Sequence, residues 1–351
     1  MGWHQLSMQR RLILHTDLKV SPLCLGTMTF GTPVGEREAV KIVHAALDLG
    51  INFIDTANMY EGYTRSMGSP GGLAEAYIGQ ALHGRRDHAV LATKAGNSIG
   101  PEPEDKGLSR THLLRECERS LKRLQTDYLD LFYLHIPDPD TPLAESIAAC
   151  AELIASGKIR HWAVSNFAAE QTRQILDLCA EGNWPLPVAH QPSFSLLNRT
   201  IEEDLLPLCI EREVAVIAYR ILESGLLSGK YTDPDNPPAD SRAAEKPEWL
   251  PQLQDAQTQR SLAEISAQAD AANLSLFDYT IRATVSTPGI TSAILGVKNP
   301  EQLAAAVRAL EMNDPAASSG EFNPQRLKAP LIHSPSATVA CRRRCGPTLP
   351  P

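Results

Sequence analysis

Four residues of different chemistry stand near the ends of successive apolar segments. FIDTANMY carries Asp55 and Tyr60, VLATK ends in Lys94, and FYLHIPDP holds His135. A phenol has a reference pKa near 10 and is by itself a poor proton donor at neutral pH. A nearby ammonium favours the phenolate and lowers that pKa, and a carboxylate paired with the ammonium fixes its position. An imidazole in the same place could hydrogen-bond a carbonyl and hold it against the phenol. Singly, each residue has an ordinary explanation: Asp55 as a cap, Lys94 as a solvated rim residue, Tyr60 as loop packing, and His135 as a core histidine like His161 and His190. Only convergence makes them a site, and convergence is a matter of fold.

The elements that would bring them together alternate along the chain. Strand-like segments fall at Leu23–Met28, Ile51–Thr56, Ala89–Lys94, Tyr128–Ile136, Ile159–Asn166, Val188–Gln191, Val214–Tyr219 and Ser292–Val297. Runs such as LDLFYLHI and VAVIAY are apolar nearly throughout, the pattern of parallel strands buried on both faces. Amphipathic stretches follow at Glu36–Leu49, Leu73–Leu82, Ser109–Leu124, Leu143–Ala155, Ala168–Cys179, Ile201–Glu211, Gln259–Ala272, Leu274–Val285 and Pro300–Met312. Ser109 is a cap signal ahead of Leu113, Leu114, Cys117 and Leu121 at helical spacing. Eight such units favour an α/β fold closed as a single (β/α)8 TIM barrel, although an open doubly wound sheet also alternates. In a barrel, Asp55, Tyr60, Lys94 and His135 would meet on the rim formed by the C-terminal strand ends.

Composition agrees with one large unit. The chain has 351 residues, 43% hydrophobic and only 5% aromatic, enough apolar surface for an aliphatic core. A net charge of −8 argues against a nucleic-acid surface but leaves room for a local basic pocket. Seven cysteines, an odd number spread thinly, read as reduced and buried thiols. The close pair Cys341 and Cys345 lacks further ligands nearby, so no metal site is expected. No segment resembles a signal peptide or a membrane span, which predicts a cytoplasmic protein. Three segments exceed what a barrel needs: YEGYTRSMGSPGG (Tyr60–Gly72), the Pro/Asp-rich stretch Thr232–Leu250, and a tail with seven prolines in 39 residues. The first two follow strand ends and could shape a substrate pocket. Residues 1–312 are expected to form the barrel with an N-terminal β-hairpin, and 313–351 a disordered or peripheral tail. No GxGxxG occurs, and Gly225-Leu-Leu-Ser-Gly229-Lys230-Tyr231 fails as a phosphate loop. It has three residues between its glycines where four are required, and Tyr in place of Ser or Thr.

From about Gln9 to Leu310 the chain resembles the aldo-keto reductases, of the bacterial type. The resemblance is carried by KVSPLCLGTMTFG, GINFIDTANMY, GGLAEAYIGQAL, VLATKAG, DYLDLFYLH, GKIRHWAVSNF, QPSFSLLNR and GVKNPEQL, in that order, with GLLSGKY after the seventh strand. It implies reversible reduction of an aldehyde or ketone by hydride from NADPH without a metal. Tyr60 would be the proton donor, tuned by Lys94 and Asp55, with His135 orienting the substrate. Ser165, Asn166 and Gln191 would hold the nicotinamide carboxamide, Tyr219 would stack on the ring, and the loop of Leu222 and Gly225 would lie over the pyrophosphate. Gly296, Lys298 and Gln302 open the last helix, whose N-terminus attracts phosphate; Lys298 favours NADPH/NADP+ over NADH. Two departures stand out: Ala306 replaces an asparagine expected at adenine, and Arg220 replaces a serine, either approaching the phosphates or pointing outward. A potassium-channel-type NADPH-binding regulatory subunit with little turnover is the alternative. A Schiff-base aldolase built on Lys94 is disfavoured, since pairing with Asp55 keeps the amine protonated. A small carbonyl compound is the expected partner.

Overall fold

The computed structural model describes residues 8–66, 69–231, 233–239 and 241–311. The predicted tail, with Cys341 and Cys345, lies outside the described residues. A short antiparallel hairpin, β1 (Arg11–Leu12) and β2 (Lys19–Val20), precedes eight parallel strands. These are β3 (Leu23–Gly26), β4 (Phe53–Asp55), β5 (Val90–Ala95), β6 (Leu129–Leu134), β7 (Ile159–Ser165), β8 (Ala189–Gln191), β9 (Ala215–Ala218) and β10 (Ile290–Gly296). Each pairs with its neighbour in chain order, and β10 closes on β3, so the sheet is a barrel and not an open sheet. Around it lie α1 (Glu36–Asp48), α2 (Leu73–Ala81), α3 (Arg110–Leu124), α4 (Leu143–Ala155), α5 (Ala169–Gly182) and α6 (Leu205–Glu211). Between β9 and β10 come the short α7 (Arg242–Glu245), then α8 (Ala256–Ala271) and α9 (Leu276–Ser286); α10 (Pro300–Glu311) follows β10.

Two cores follow from the period-2 alternation of the strands. Cys24, Phe53, Val90, Ala92, Leu131, Tyr133, Ala163, Ala189, Ala215 and Ile217 fill the barrel interior. Ile13, Leu18 and Val20 of the hairpin join the same cluster and plug its N-terminal end. The alternate residues, among them Leu25, Ile54, Leu91, Phe132, Trp162, Val164 and Val216, face the helices. Each such side chain removed from water contributes roughly 1.5–3 kcal/mol, so the barrel wall is held from both faces.

Helix ends differ from the sequence expectation where side chains decide them. Ser109 does cap α3, accepting a hydrogen bond from His112 N. The stretch expected as one helix from Ile201 divides into a 3-10 turn at Thr200–Glu202 and α6. Pro207 lacks an N–H and is tolerated only in a first turn, so the helix starts at Leu205 with Asp204 as its cap. Further along, α8 begins at Ala256, before the expected Gln259, because Asp255 accepts from Thr258 N at 2.7 Å. The excursion after β9 is less loop-like than expected. Ala243, Leu250 and Leu253 pack with Leu226, Leu262 and Ile265 in a third apolar cluster. The five described cysteines are all unpaired and buried.

Candidate active site

Alternation also decides what stands on the rim. Counting in twos from the interior residues Phe53, Ala92, Tyr133, Ala163, Ala189 and Ile217 reaches Asp55, Lys94, His135, Ser165, Gln191 and Tyr219. Each of these six is therefore an inward position at a C-terminal strand end. Tyr60 comes from the turn after β4, which two segments fasten. Asn58 N bonds Lys94 O at 3.0 Å, and Ala74 N bonds Tyr60 O at 3.1 Å. Gly71, at φ +64, packs so closely on Asn58 and Met59 that a Cβ would come within 2.5 Å of Asn58 O.

At the centre, Lys94 is fully buried, with Nζ 2.5 Å from Asp55 Oδ1, 2.7 Å from Thr56 O and 3.3 Å from Tyr60 Oη. Gln191 Nε2 donates to the other Asp55 oxygen at 2.8 Å. Burial opposes the Lys94 charge, yet Asp55 and Tyr60 outweigh it and hold its pKa above the usual lysine value. Burial pushes the Asp55 carboxyl up while Lys94 and Gln191 pull it back. The phenol behaves differently from the sequence argument. Burial raises the Tyr60 pKa by more than Lys94 lowers it, with Asp55 adding to the rise. Tyr60 is thus a neutral O–H at pH 7, ready to give a proton. The His135 ring stands edge-on to Tyr60, centroids 6.0 Å apart and planes at 78°. Burial first, then Lys94 and Arg65, hold its pKa well below the usual value, so it is neutral. Its buried Nδ1 has no hydrogen-bond partner among the described residues.

These groups face a cavity of about 610 Å³ at the C-terminal end of the barrel, a size suited to a small-molecule or cofactor site. Its walls include every expected site residue except Lys94, which lies beneath against Tyr60. Ser165, Asn166 and Gln191 form one chain: Ser165 Oγ donates to Gln191 O at 2.9 Å and Asn166 Nδ2 to Ser165 Oγ at 3.1 Å. Tyr219 Oη donates to Asn166 Oδ1 at 2.7 Å, which fixes the ring on the wall. The loop with Leu222 and Gly225 holds left-handed backbone at Arg220, Glu223 and Ser224, φ 63°, 44° and 57°. Such residues persist only where surroundings over-determine them. Here the buried Glu223 binds Ser195 Oγ at 2.8 Å and Arg220 at 2.7 Å. Arg220 therefore lines the cavity but is engaged with Glu223, between the two alternatives left by the sequence.

At the far end, Asn299 Oδ1 accepts from Gln302 N at 3.0 Å, and Gln302 Oε1 accepts from Lys298 N at 2.8 Å. Lys298 Nζ is also paired with Glu245 of α7 at 2.8 Å, a contact the sequence did not disclose. Ala306, expected opposite adenine, is buried in the helix–barrel core; Ala305 is the alanine on the cavity wall. Sequence reasoning also missed a bridge across the mouth. Arg242 Nη2 donates to Tyr63 Oη at 2.8 Å, and Trp249 packs edge-on against Tyr63 at 5.2 Å. Both partners lie in the two stretches marked as possible substrate loops, which was the one signal available. A dinucleotide fits this lining: amide and hydroxyl donors beside the tyrosine pair, an aromatic wall, and Arg220, Lys230, Arg242 and Lys298 against a lone acidic lining residue, Asp55.

Comparison with known proteins agrees with this geometry. Residues 22–319 match the model of the Aldo/keto reductase family. The chain is 33% identical to L-glyceraldehyde 3-phosphate reductase of Escherichia coli (strain K12), over 86% of this chain and 88% of the relative. It is also 33% identical to a probable voltage-gated potassium channel subunit beta of Oryza sativa subsp. japonica, over 87% and 92%. Aldo-keto reductase YhdN of Bacillus subtilis (strain 168) is 32% identical, over 85% and 87%. No helix among the described residues is long and apolar enough to cross a membrane.

Proposed function

The chain belongs to the aldo/keto reductase family and is a nicotinamide-dependent oxidoreductase of carbonyl compounds, and from that premise we propose that it reduces an aldehyde or ketone with NADPH, Tyr60 giving the proton. The observation that carries the reading is the contact of Tyr60 Oη with Lys94 Nζ at 3.3 Å, in a cavity that also presents His135. When bound, the reduced nicotinamide supplies hydride to the carbonyl carbon. Tyr60 donates its hydroxyl proton to the carbonyl oxygen as charge grows there, and the Lys94 ammonium stabilises the phenolate left behind. Asp55 keeps that ammonium charged and in place. His135, neutral, is unsuited to proton delivery as an imidazolium and instead donates a hydrogen bond that orients the carbonyl.

Ser165, Asn166 and Gln191 would hold the carboxamide, with Tyr219 against the ring and excluding water. Leu222 and Gly225 would cover the pyrophosphate; Gly296, at the end of β10, and Gln302, in the first turn of α10, would receive the adenylate end. The preference for NADPH over NADH rests on Lys298 within a basic lining, and a 2′-phosphate there would share or displace Glu245. Fluorescence titration with NADPH and NADH, followed by NADPH oxidation over a panel of aldehydes and ketones, tests the reading. Turnover with tighter NADPH binding is expected. Tight NADPH binding without turnover on any carbonyl would overturn it in favour of a regulatory subunit, the reading that likeness to the channel subunit supports.

A further inference from the structure

Asn58 and Thr93 belong to the two segments that carry the phenol and the ammonium, two residues before Tyr60 and one before Lys94. Neither lines the cavity. Thr93 alternates with the inward Lys94 on β5 and so faces the helices. Both side chains are fully buried, and each is met behind the barrel wall by a fully buried carboxylate. Asn58 Nδ2 donates to Glu116 Oε2 of α3 at 3.1 Å, and Thr93 Oγ1 donates to Glu75 Oε1 of α2 at 2.6 Å. The remaining carboxylate oxygens are held from α3. Arg119 Nη1 and Arg115 Nε reach Glu116 Oε1 at 2.9 and 3.3 Å, and Arg123 Nε reaches Glu75 Oε2 at 2.6 Å. Asn58 Oδ1 has no partner among the described residues, so the bond to Glu116 is what orients that amide.

A buried ion pair is often no more stabilising than hydrophobic side chains of the same volume. Stability therefore gives little reason for carboxylates between this wall and its helices, whereas geometry gives one. The 3.3 Å contact of Tyr60 Oη with Lys94 Nζ joins side chains of two different segments, so its length depends on how those segments stand to each other. Their backbones meet once, Asn58 N donating to Lys94 O at 3.0 Å. Behind the wall, the Tyr60 segment is tied to α3 and the Lys94 strand to α2. The two helices are in turn locked together, by Arg123 on Glu75 and by close approach: a Cβ on Gly79 of α2 would come within 2.5 Å of Arg123 O. The helix pair thus forms one frame, with a separate tie to each partner of the central contact.

We propose that Glu116 and Glu75 are positioning residues, which through Asn58 and Thr93 set the separation of Tyr60 from Lys94 and with it the rate of proton delivery. The proposal rests on the reductase reading above. Its test measures carbonyl reduction and NADPH affinity well below each variant's unfolding midpoint. The variants are Asn58→Asp, the combined Asn58→Asp/Glu116→Gln in which amide and carboxylate change places, Thr93→Val, and Arg86→Met as a buried ion pair remote from the site. Asn58→Asp sets two carboxylates face to face and should lower kcat about 10–10²-fold, with KM and the NADPH dissociation constant within about twofold. The combined variant should recover most of that fall. Thr93→Val should lower kcat about fivefold or more, and Arg86→Met should leave it within about twofold. Unchanged kcat in both Asn58→Asp and Thr93→Val overturns the proposal, as does a fall in Asn58→Asp that the exchange does not relieve or that Arg86→Met equals. Should Asn58→Asp not fold, Thr93→Val decides alone: lowered kcat with unchanged NADPH affinity supports the proposal, and unchanged kcat overturns it. Should no carbonyl turn over, the reductase reading fails, and fluorine NMR of protein labelled with 3-fluorotyrosine decides the positioning separately. The Tyr60 resonance, assigned by its loss in Tyr60→Phe, should move in Asn58→Asp and return in the combined variant; a resonance that stays in place overturns the proposal.

Discussion

The two ends of this barrel hold similar charged clusters built to different degrees of completion. At the N-terminal end, Asp130, the second residue of β6, is buried and accepts from Arg86 Nη2 at 2.7 Å and Leu91 N at 2.9 Å. Arg86 also donates to Ala89 O and Tyr128 O, and Arg86 and Arg160 each stack on the Tyr128 ring, at 4.1 and 4.4 Å. At the C-terminal end, Asp55 and Lys94 are likewise buried and paired, but Tyr60 adjoins an open cavity and His135 Nδ1 has no partner. On the proposed function one end is a staple and the other a site. Charge and burial do not separate them, nor does a cavity, since Tyr128, Asp130 and Arg160 line one as well; the unpartnered His135 Nδ1 does.

The largest effect that could break the comparison is expected from Lys94→Met. It removes the group stabilising the phenolate and leaves Asp55 buried without its cation. Turnover should fall by about 10³ or more, and stability by roughly 3–5 kcal/mol, read by steady-state kinetics and urea unfolding. Near wild-type turnover would mean that Tyr60 needs no ammonium.

Next in size is a pH effect from His190, another buried histidine. His190 lies on the outer face of β8, Nε2 3.0 Å from Phe167 O, and burial lowers its pKa to about 4 against the small upward pull of that carbonyl. The unfolded chain protonates this histidine near pH 6.5, the folded chain only near 4, so stability is present above 6.5 and lost as pH falls between those values. The loss should be about 2 kcal/mol from pH 7 to pH 5. In His190→Asn the unfolding free energy should change less by that amount; an identical pH slope would contradict the assignment. Comparable in stability, and smallest in its effect on turnover, is Arg86→Met at the N-terminal end. It should cost roughly 1–3 kcal/mol by thermal or urea unfolding and leave kcat within about twofold. A large loss of kcat with the fold intact would erase the distinction between staple and site.

Much of the barrel and the rim positions of Asp55, Lys94 and His135 were legible because a single rule, alternation with burial on both faces, governs every strand; Tyr60 lies in the turn after β4, outside that rule. That rule carries Phe53 to Asp55 and Ala92 to Lys94 without any knowledge of neighbours. What escaped depends on contacts distant in sequence. Nothing local signals that Glu245 holds Lys298, or that Arg242 reaches Tyr63. The direction of the Tyr60 shift was misread for a related reason: the ammonium is visible in the sequence, whereas the extent of burial is not. The start of α6 was misplaced although its cause, Pro207, was in plain view.

On the proposed mechanism Tyr60 delivers the proton while other groups hold the cofactor. Replacing Tyr60 by Phe deletes one oxygen and keeps the ring, so kinetics and NADPH titration of the same variant test it most directly. Carbonyl reduction should fall by about 10³ or more, with the NADPH dissociation constant within about twofold of wild type. Turnover within tenfold of wild type would contradict it.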